Sequence, residues 1–207
     1  MTNGSGTSDT GRAPRSAVVT EVPDPSVAGV VLAAGAGSRF GGAKQVARLD
    51  GRPLLDHVLA AARGAALEPL VLVLGAHAAT VRAAVDVDDL RVVECADWAE
   101  GLSASLRCGL AALPDADAVL VLLGDQPFLG AEVVRAIAAA RPPARATYGG
   151  VPGHPVLLDA ALIARAGELR GDAGFRDLLD GVAHVECGQE GDPRDVDTEQ
   201  DMEVARE

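Results

Sequence analysis

The run Leu32-Ala33-Ala34-Gly35-Ala36-Gly37-Ser38-Arg39-Phe40-Gly41-Gly42-Ala43-Lys44 follows directly on the apolar residues Val30 and Val31. Glycines in such a loop permit positive φ and let backbone N–H groups approach an anion with no Cβ in the way. An arginine here can clamp oxygens in bidentate fashion, and a lysine acts as a point charge. The chemistry this composition suits is polyphosphate binding, although a glycine-rich strand-to-helix turn that binds nothing has the same composition. The P-loop pattern is excluded because Lys44 is preceded by Ala43 and followed by Gln45. The dinucleotide fingerprint GxGxxG is missed by one residue, since Gly41 comes one place too late after Gly35 and Gly37. A free nucleoside triphosphate suits the loop better than a dinucleotide does.

A second group of candidates is acidic. Asp125, in Gly124-Asp125-Gln126-Pro127, stands just after the most apolar run of the chain. A carboxylate there, beside a phosphate loop, can hold Mg²⁺ against phosphate oxygens; the plainer reading is a turn aspartate. Asp197 lies in Asp195-Val-Asp-Thr-Glu-Gln-Asp201, where Thr198 is placed to cap a last helix with acidic residues in its first turn. Asp197 can be a second metal ligand while Thr198 caps. Ser103 and Ser105 open an amphipathic stretch whose helix N-terminus, with exposed hydroxyls, can read a nucleobase edge or simply be capped by Ser103. His154, between Gly153 and Pro155, is expected on a rigid surface turn.

The elements that must position these residues follow from periodicity. Strands are expected at 69–75, 90–94 and 118–124 as well as through Val30, Val31 and Leu32, with helices at 53–63, 77–85 and 103–113 between them. Beyond Arg141 the pattern loosens into short strands at 144–148 and 155–158 and helices at 160–169 and 174–179. Alternating strands and helices imply right-handed βαβ crossovers, hence an α/β, three-layer, doubly wound, mostly parallel sheet. Ligands of such folds sit beyond the carboxyl ends of the strands, so the glycine loop and Asp125 are expected to face one cleft.

With 207 residues and 48% hydrophobic content the chain suits one core. Residues 1–27 read as a flexible leader and 28–207 as a single domain. An aromatic content of 2% means a core of Ala, Val and Leu. The net charge of −12 argues against sequence-independent nucleic-acid binding, which rests on lysine and arginine. It also means that an anionic substrate needs a local cationic loop or a divalent metal. No segment reads as a membrane span or a signal peptide. Cys95, Cys108 and Cys187 are odd in number and far apart, so buried free thiols in a cytoplasmic, reducing setting are expected rather than a disulfide or a CxxC metal site.

Six motifs in order (LAAGAGSRFGGAK, WAEGLSASLRCGL, LLGDQPFL, PGHPVLL, GDAGFRDLL and DVDTEQD) resemble the MobA-like nucleotidyltransferases of molybdenum cofactor maturation, most closely the cytidylyltransferase branch. The resemblance runs from about Gly29 to Val204. It implies a Rossmann-like nucleotidyltransferase fold of the nucleotide-diphospho-sugar transferase type and Mg²⁺-dependent transfer of CMP from CTP to the phosphate of molybdopterin, with pyrophosphate released. On the matching positions, Leu32, Ala33, Ala34, Gly35, Gly37, Ser38, Arg39 and Lys44 bind the nucleotide, with Ser105 and Gly109 on the base side. Lys44, Arg39 and Asp125 are the catalytic set, Asp125 and Asp197 the metal ligands, and Gln126 and His154 the acceptor side. A molybdoenzyme or its chaperone is the implied protein partner.

Three alternatives stand beside this reading. One is a relative that transfers a nucleotide to another small phosphorylated acceptor. Another is an NAD(P)H-dependent oxidoreductase of the nicotine blue oxidoreductase type, against which loop spacing and the lack of a clear acidic ribose ligand both count, although Asp50 and Asp56 lie nearby. The third is a non-catalytic binding partner, against which Lys44 and Asp125 count. Phe175 reads as core, and Phe128 as either core or part of an apolar acceptor pocket.

Overall fold

The computed structural model describes residues 27–172, 179 and 181–204. The leader up to residue 26, the helix expected at 174–179 and Phe175 lie outside the described residues, apart from Leu179. Nine strands are described: β1 (Ala28–Ala33), β2 (Arg48–Leu49), β3 (Arg52–Pro53), β4 (Leu70–Leu74), β5 (Arg91–Glu94), β6 (Ala118–Leu123), β7 (Ala144–Tyr148), β8 (Val151–Asp159) and β9 (Ala183–Glu186). The helices are α1 (Leu54–Gly64), α2 (Ala78–Ala84), α3 (Leu102–Ala111), α4 (Ala131–Ala138), α5 (Ala160–Ala164) and α6 (Glu199–Val204).

Seven strands form one sheet in the order β5-β4-β1-β6-β8-β7-β9, and β2 and β3 make a separate two-stranded ribbon. β1 pairs in parallel with β4 on one side and β6 on the other, while β8 runs antiparallel to both β6 and β7. The chain therefore winds outward from β1 through β4 to β5 and returns to the other side of β1 as β6. That reversal leaves a crevice between the carboxyl ends of β1 and β6, the place where open α/β sheets bind ligands.

Alternation along the strands builds three layers. Val31 and Ala33 join Leu55, Val58 and Leu59 of α1 and Val133, Val134 and Ile137 of α4 on one face. Val30 and Leu32 join Ala104, Leu106 and Leu110 of α3 and Leu162 of α5 on the other. Every residue of β1 and β4 is buried, as a parallel strand covered on both sides requires.

Three expectations are corrected. The stretch 131–138, where no element was expected, is the helix α4, whose Val133, Val134 and Ile137 are fully buried at helical spacing. The rigid turn around His154 is instead the strand β8, and the turn itself is Gly149-Gly150, whose φ values of 59° and 80° suit a two-residue hairpin. Cys95 and Cys108 are joined in a disulfide with a Cα–Cα distance of 5.8 Å. The crossover from β5 into α3 doubles back and brings the two cysteines together, which spacing along the chain did not reveal. Cys187 is the remaining thiol, buried; desolvation, and then the charges of Glu190 and Glu186, push its pKa up.

Candidate active site

Two strand ends and one distant segment converge on Lys44. Its ammonium lies 2.9 Å from Asp125 Oδ2, 2.9 Å from Asp197 Oδ1 and 2.9 Å from the carbonyl oxygen of Val196. Asp125 follows the end of β6, and Lys44 opens a short 3₁₀ turn, Lys44–Val46, after the glycine loop. Arg39 reaches in from the loop to donate to Asp197 Oδ2 at 2.9 Å, with its side chain 78% exposed.

The segment carrying Asp197 is tied down independently of Lys44. Val196 N–H donates to the Asp125 carbonyl at 2.9 Å, and Val196 packs with Leu49, Leu54 and Met202, flanked by Phe40 and Phe128. Phe128 thus belongs to the edge of this cluster, with the Arg194 guanidinium 5.3 Å over its ring. Thr198 Oγ1 accepts from Asp201 N–H at 3.2 Å while the Asp201 carboxylate accepts from Thr198 N–H at 2.8 Å. This reciprocal arrangement starts α6 as a capping box does.

Electrostatics follow from this packing. Burial pulls the Lys44 pKa down, but the Asp125 charge and the hydrogen bonds from both carboxylates outweigh it and leave the ammonium above its ordinary value. The hydrogen bond from Lys44, with the Arg39 charge, holds the Asp197 carboxyl below the usual range. Asp195 goes the other way: partial desolvation and the neighbouring Asp125 charge raise it, against the hydrogen bond from Gln126.

The glycine loop is sorted by atom type. The carbonyls of Leu32 and Ala34 accept from the N–H groups of Gly124 at 2.8 Å and Ala76 at 3.1 Å. Those of Ala33 and Gly35 accept from Gln45 Nε2 at 3.0 and 2.9 Å, and His77 Nε2 lies 2.9 Å from the Ala36 carbonyl. The Gly37 carbonyl accepts from Phe40, Gly41 and Gly42. No N–H of residues 35–39 donates to another described residue. The loop therefore presents a row of unused donors on a backbone whose carbonyls from Leu32 to Gly37 are occupied, the pattern of an anion-binding concavity. Gly37 and Gly41 take φ of 60° and 85°, whereas Gly35 and Gly42 do not have positive φ. At Gly37 a Cβ would overlap the Gly42 carbonyl oxygen.

Other expected site residues stand further from this centre. Ser103 and Ser105 are 1% and 5% exposed, so the exposed hydroxyls expected at the start of α3 are not there. Ser103 Oγ donates to the Gly171 carbonyl at 2.5 Å, and the N–H of Leu102 is met by Asp172 rather than by a serine cap. Gly109 lies mid-helix, where a Cβ would come 2.7 Å from Val30 Cγ1 and 2.9 Å from Val73 Cγ2; its small size serves the approach of α3 to the sheet. Gln126 is buried and spends its Nε2 on the Pro193 carbonyl at 2.9 Å and Asp195 Oδ1 at 2.8 Å. It braces the 193–197 segment instead of facing an open cleft. His154 lies ahead of the last β6·β8 pair, Val121↔Val156, and so toward the sheet edge that bears Asp125. Gln45 and His77, which tether the loop, were missed by the sequence reading, because neither stands in a recognisable motif.

Divalent metal fits the donor set. Among the described residues no three His, Cys, Asp or Glu side chains form a metal cluster, so the protein offers Asp125 and Asp197, to be completed by phosphate and water oxygens as Mg²⁺ sites commonly are. In the structure the Lys44 ammonium lies between these two carboxylates, with the Val196 carbonyl as its third oxygen partner.

The pattern described as a MobA-like NTP transferase domain matches residues 29–187, the span that holds both the loop and Asp125. The chain belongs to the MobA-like NTP transferase family. The sheet and its covering helices are the α/β nucleotidyltransferase fold. Rv0371c from Mycobacterium tuberculosis H37Rv superposes with a TM-score of 0.77 at 34% identity, covering 87% of this chain and 96% of that one; the same protein is also known as a complex with manganese. A nucleotidyl transferase from Methanothermobacter thermautotrophicus, Mth528, gives a TM-score of 0.72 at 27% identity over 88% and 97% of the two chains. Nicotine blue oxidoreductase from Paenarthrobacter nicotinovorans is 35% identical over 86% of this chain and 95% of its own length. Bifunctional protein GlmU from Kineococcus radiotolerans is 41% identical over 59% of this chain, and the match spans only 26% of that protein. Among the described residues no helix is long and apolar enough to cross a membrane.

Proposed function

We propose that this nucleotidyltransferase moves CMP from CTP to the terminal phosphate of molybdopterin, with Mg²⁺ as the metal. The observation that carries the reading is the meeting of the unused loop donors, Lys44, Asp125 and Asp197 at one end of the sheet. The N–H groups of residues 35–39 take the triphosphate oxygens, and Arg39 and Lys44 neutralise them. The run Ala33-Ala34-Gly35 resembles the cytidine form of this loop rather than the guanosine form. In this role Lys44 leaves its carboxylate cage for the phosphates when nucleotide binds.

Asp125 and Asp197 would hold Mg²⁺, which supplies neutralisation of charge on the phosphates when bound. An oxygen of the acceptor phosphate attacks the α-phosphorus in line, forming one P–O bond as the bond to the β-phosphate breaks and pyrophosphate departs. The nucleophile is already an anion near neutral pH, so the residues act through position and electrostatics rather than as a general base. No covalent enzyme intermediate is formed. His154 lies on the acceptor side, and Gln126 supports that side by bracing the 193–197 segment.

The near full-length likeness to nicotine blue oxidoreductase supports a second reading, NAD(P)H-dependent reduction in the same cleft. A thermal-shift panel of CTP, GTP, ATP, NADH and NADPH, each with and without Mg²⁺, separates the two. A ligand at a hundred times its Kd stabilises by about 2.7 kcal/mol, which in a domain of this size raises Tm by roughly 5–10 °C. The proposal expects that rise with Mg·CTP; a rise with NADPH alone transfers the assignment to the reductase.

A further inference from the structure

Lys44 and Gln45 are consecutive in one 3₁₀ turn, yet they serve opposite walls of the site. Lys44 points at the two carboxylates, and Gln45 runs beneath the glycine loop, where it is 4% exposed. Its side-chain amide has two N–H bonds to give, and both are given, to the carbonyls of Ala33 and Gly35. No other side chain among the described residues holds two carbonyls of this loop. Fixing those two peptide units turns their oxygens inward, and with His77 on the next carbonyl but one to Ala34 the N–H groups that follow are left facing the cleft.

A second observation concerns the other end of the same side chain. Gln45 Oε1 is buried with no hydrogen-bond partner among the described residues. An unpaired buried acceptor costs stability. A methionine of similar volume would escape that cost, so the carboxamide is held for what its NH₂ end does to the loop.

We infer that Gln45 is a positioning residue that presets the phosphate loop for a triphosphate before the ligand arrives. The inference rests on the nucleotide reading above and adds to it the group that pre-organises its anion site. Pre-organised donors need not be ordered at the moment of binding, and that is where the gain in affinity lies. The base does not touch these donors, so Gln45 matters to the phosphate tail alone.

The test is calorimetric titration of the full chain, with Mg²⁺ present, against inorganic tripolyphosphate, CTP and cytidine. Gln45→Met removes both donors at similar volume, and Gln45→Asn keeps an amide too short to reach both carbonyls. Both variants are expected to lose roughly tenfold or more affinity for tripolyphosphate and for CTP by the same factor, with cytidine affinity unchanged. Wild-type affinity for tripolyphosphate in a folded variant, or an equal loss for cytidine, overturns the inference. If Gln45→Met does not fold, Gln45→Asn decides by the same two criteria. Wild-type protein that binds neither tripolyphosphate nor CTP would instead remove the nucleotide reading on which the inference stands.

Discussion

Lys44 Nζ lies 2.9 Å from Asp125 Oδ2, although 81 residues separate the two in sequence. One residue belongs to the loop after β1 and the other to the end of β6, neighbouring strands on either side of the crevice. The contact makes the ammonium a resident cation among oxygens, and a metal held by Asp125 and Asp197, as proposed, would compete with it. Lys44→Met is therefore expected to bind Mn²⁺ more tightly than wild type in the absence of nucleotide, while its transfer rate falls by about 100-fold or more, as loss of an electrostatic stabiliser commonly does. Titration by the Mn²⁺ electron paramagnetic signal measures the first effect. Unchanged or weaker Mn²⁺ binding would mean that the ammonium and the metal do not share a site.

Asp197 supplies the pH dependence. Its carboxyl is held below the usual range in the folded chain by Lys44 and Arg39. A depressed folded-state pKa gives stability that is present above the unfolded value and is lost as pH falls through the folded value. The stability difference between wild type and Asp197→Asn should therefore be full at pH 6–7, shrink below about pH 4 and vanish once both states are protonated. Urea unfolding across that range measures it. A difference that grows toward acid would contradict the ion pairing.

The Cys95–Cys108 disulfide closes a loop that contains the start of α3. Cross-linking a loop of this length restricts the unfolded chain by about 3 kcal/mol. Cys108→Ser, or wild type under reductant, is expected to lose stability of that order in denaturant unfolding. Equal stability with and without reductant would show that the bridge contributes nothing.

Gly109 separates packing from binding. Gly109→Ala puts a methyl group against Val30 and Val73 and should destabilise by about 1–3 kcal/mol, as overpacking does. CTP affinity of the folded protein should remain at the wild-type level. A selective loss of CTP affinity without a fall in Tm would return Gly109 to the base side of the site.

What the sequence made legible follows from range of interaction. The run through Val30 to Leu32, the glycines after it, and the apolar stretch ending before Asp125 each carry their meaning within a dozen residues. The parallel frame and the strand-end placement of Asp125 followed from them. Long-range pairings carried no such mark. Nothing near Gln126 indicates that its amide will be spent on Pro193 and Asp195, and nothing near Cys95 indicates Cys108. β9 is a four-residue edge strand beside β7, too short for a periodic signal. In β8 the flanking Gly153 and Pro155 made His154 resemble a turn residue, whereas it is the glycines at 149 and 150 that turn the chain.

Chemical transfer at the Lys44, Asp125 and Asp197 site is measured by following CTP labelled at its α-phosphorus with molybdopterin as acceptor. Label is expected in the pterin product, with equimolar pyrophosphate, a requirement for divalent metal, and a rate lower by about 100-fold or more in folded Asp125→Ala. Transfer that persists at half the wild-type rate in Asp125→Ala, or no labelled product from wild-type protein with Mg²⁺ present, would contradict it.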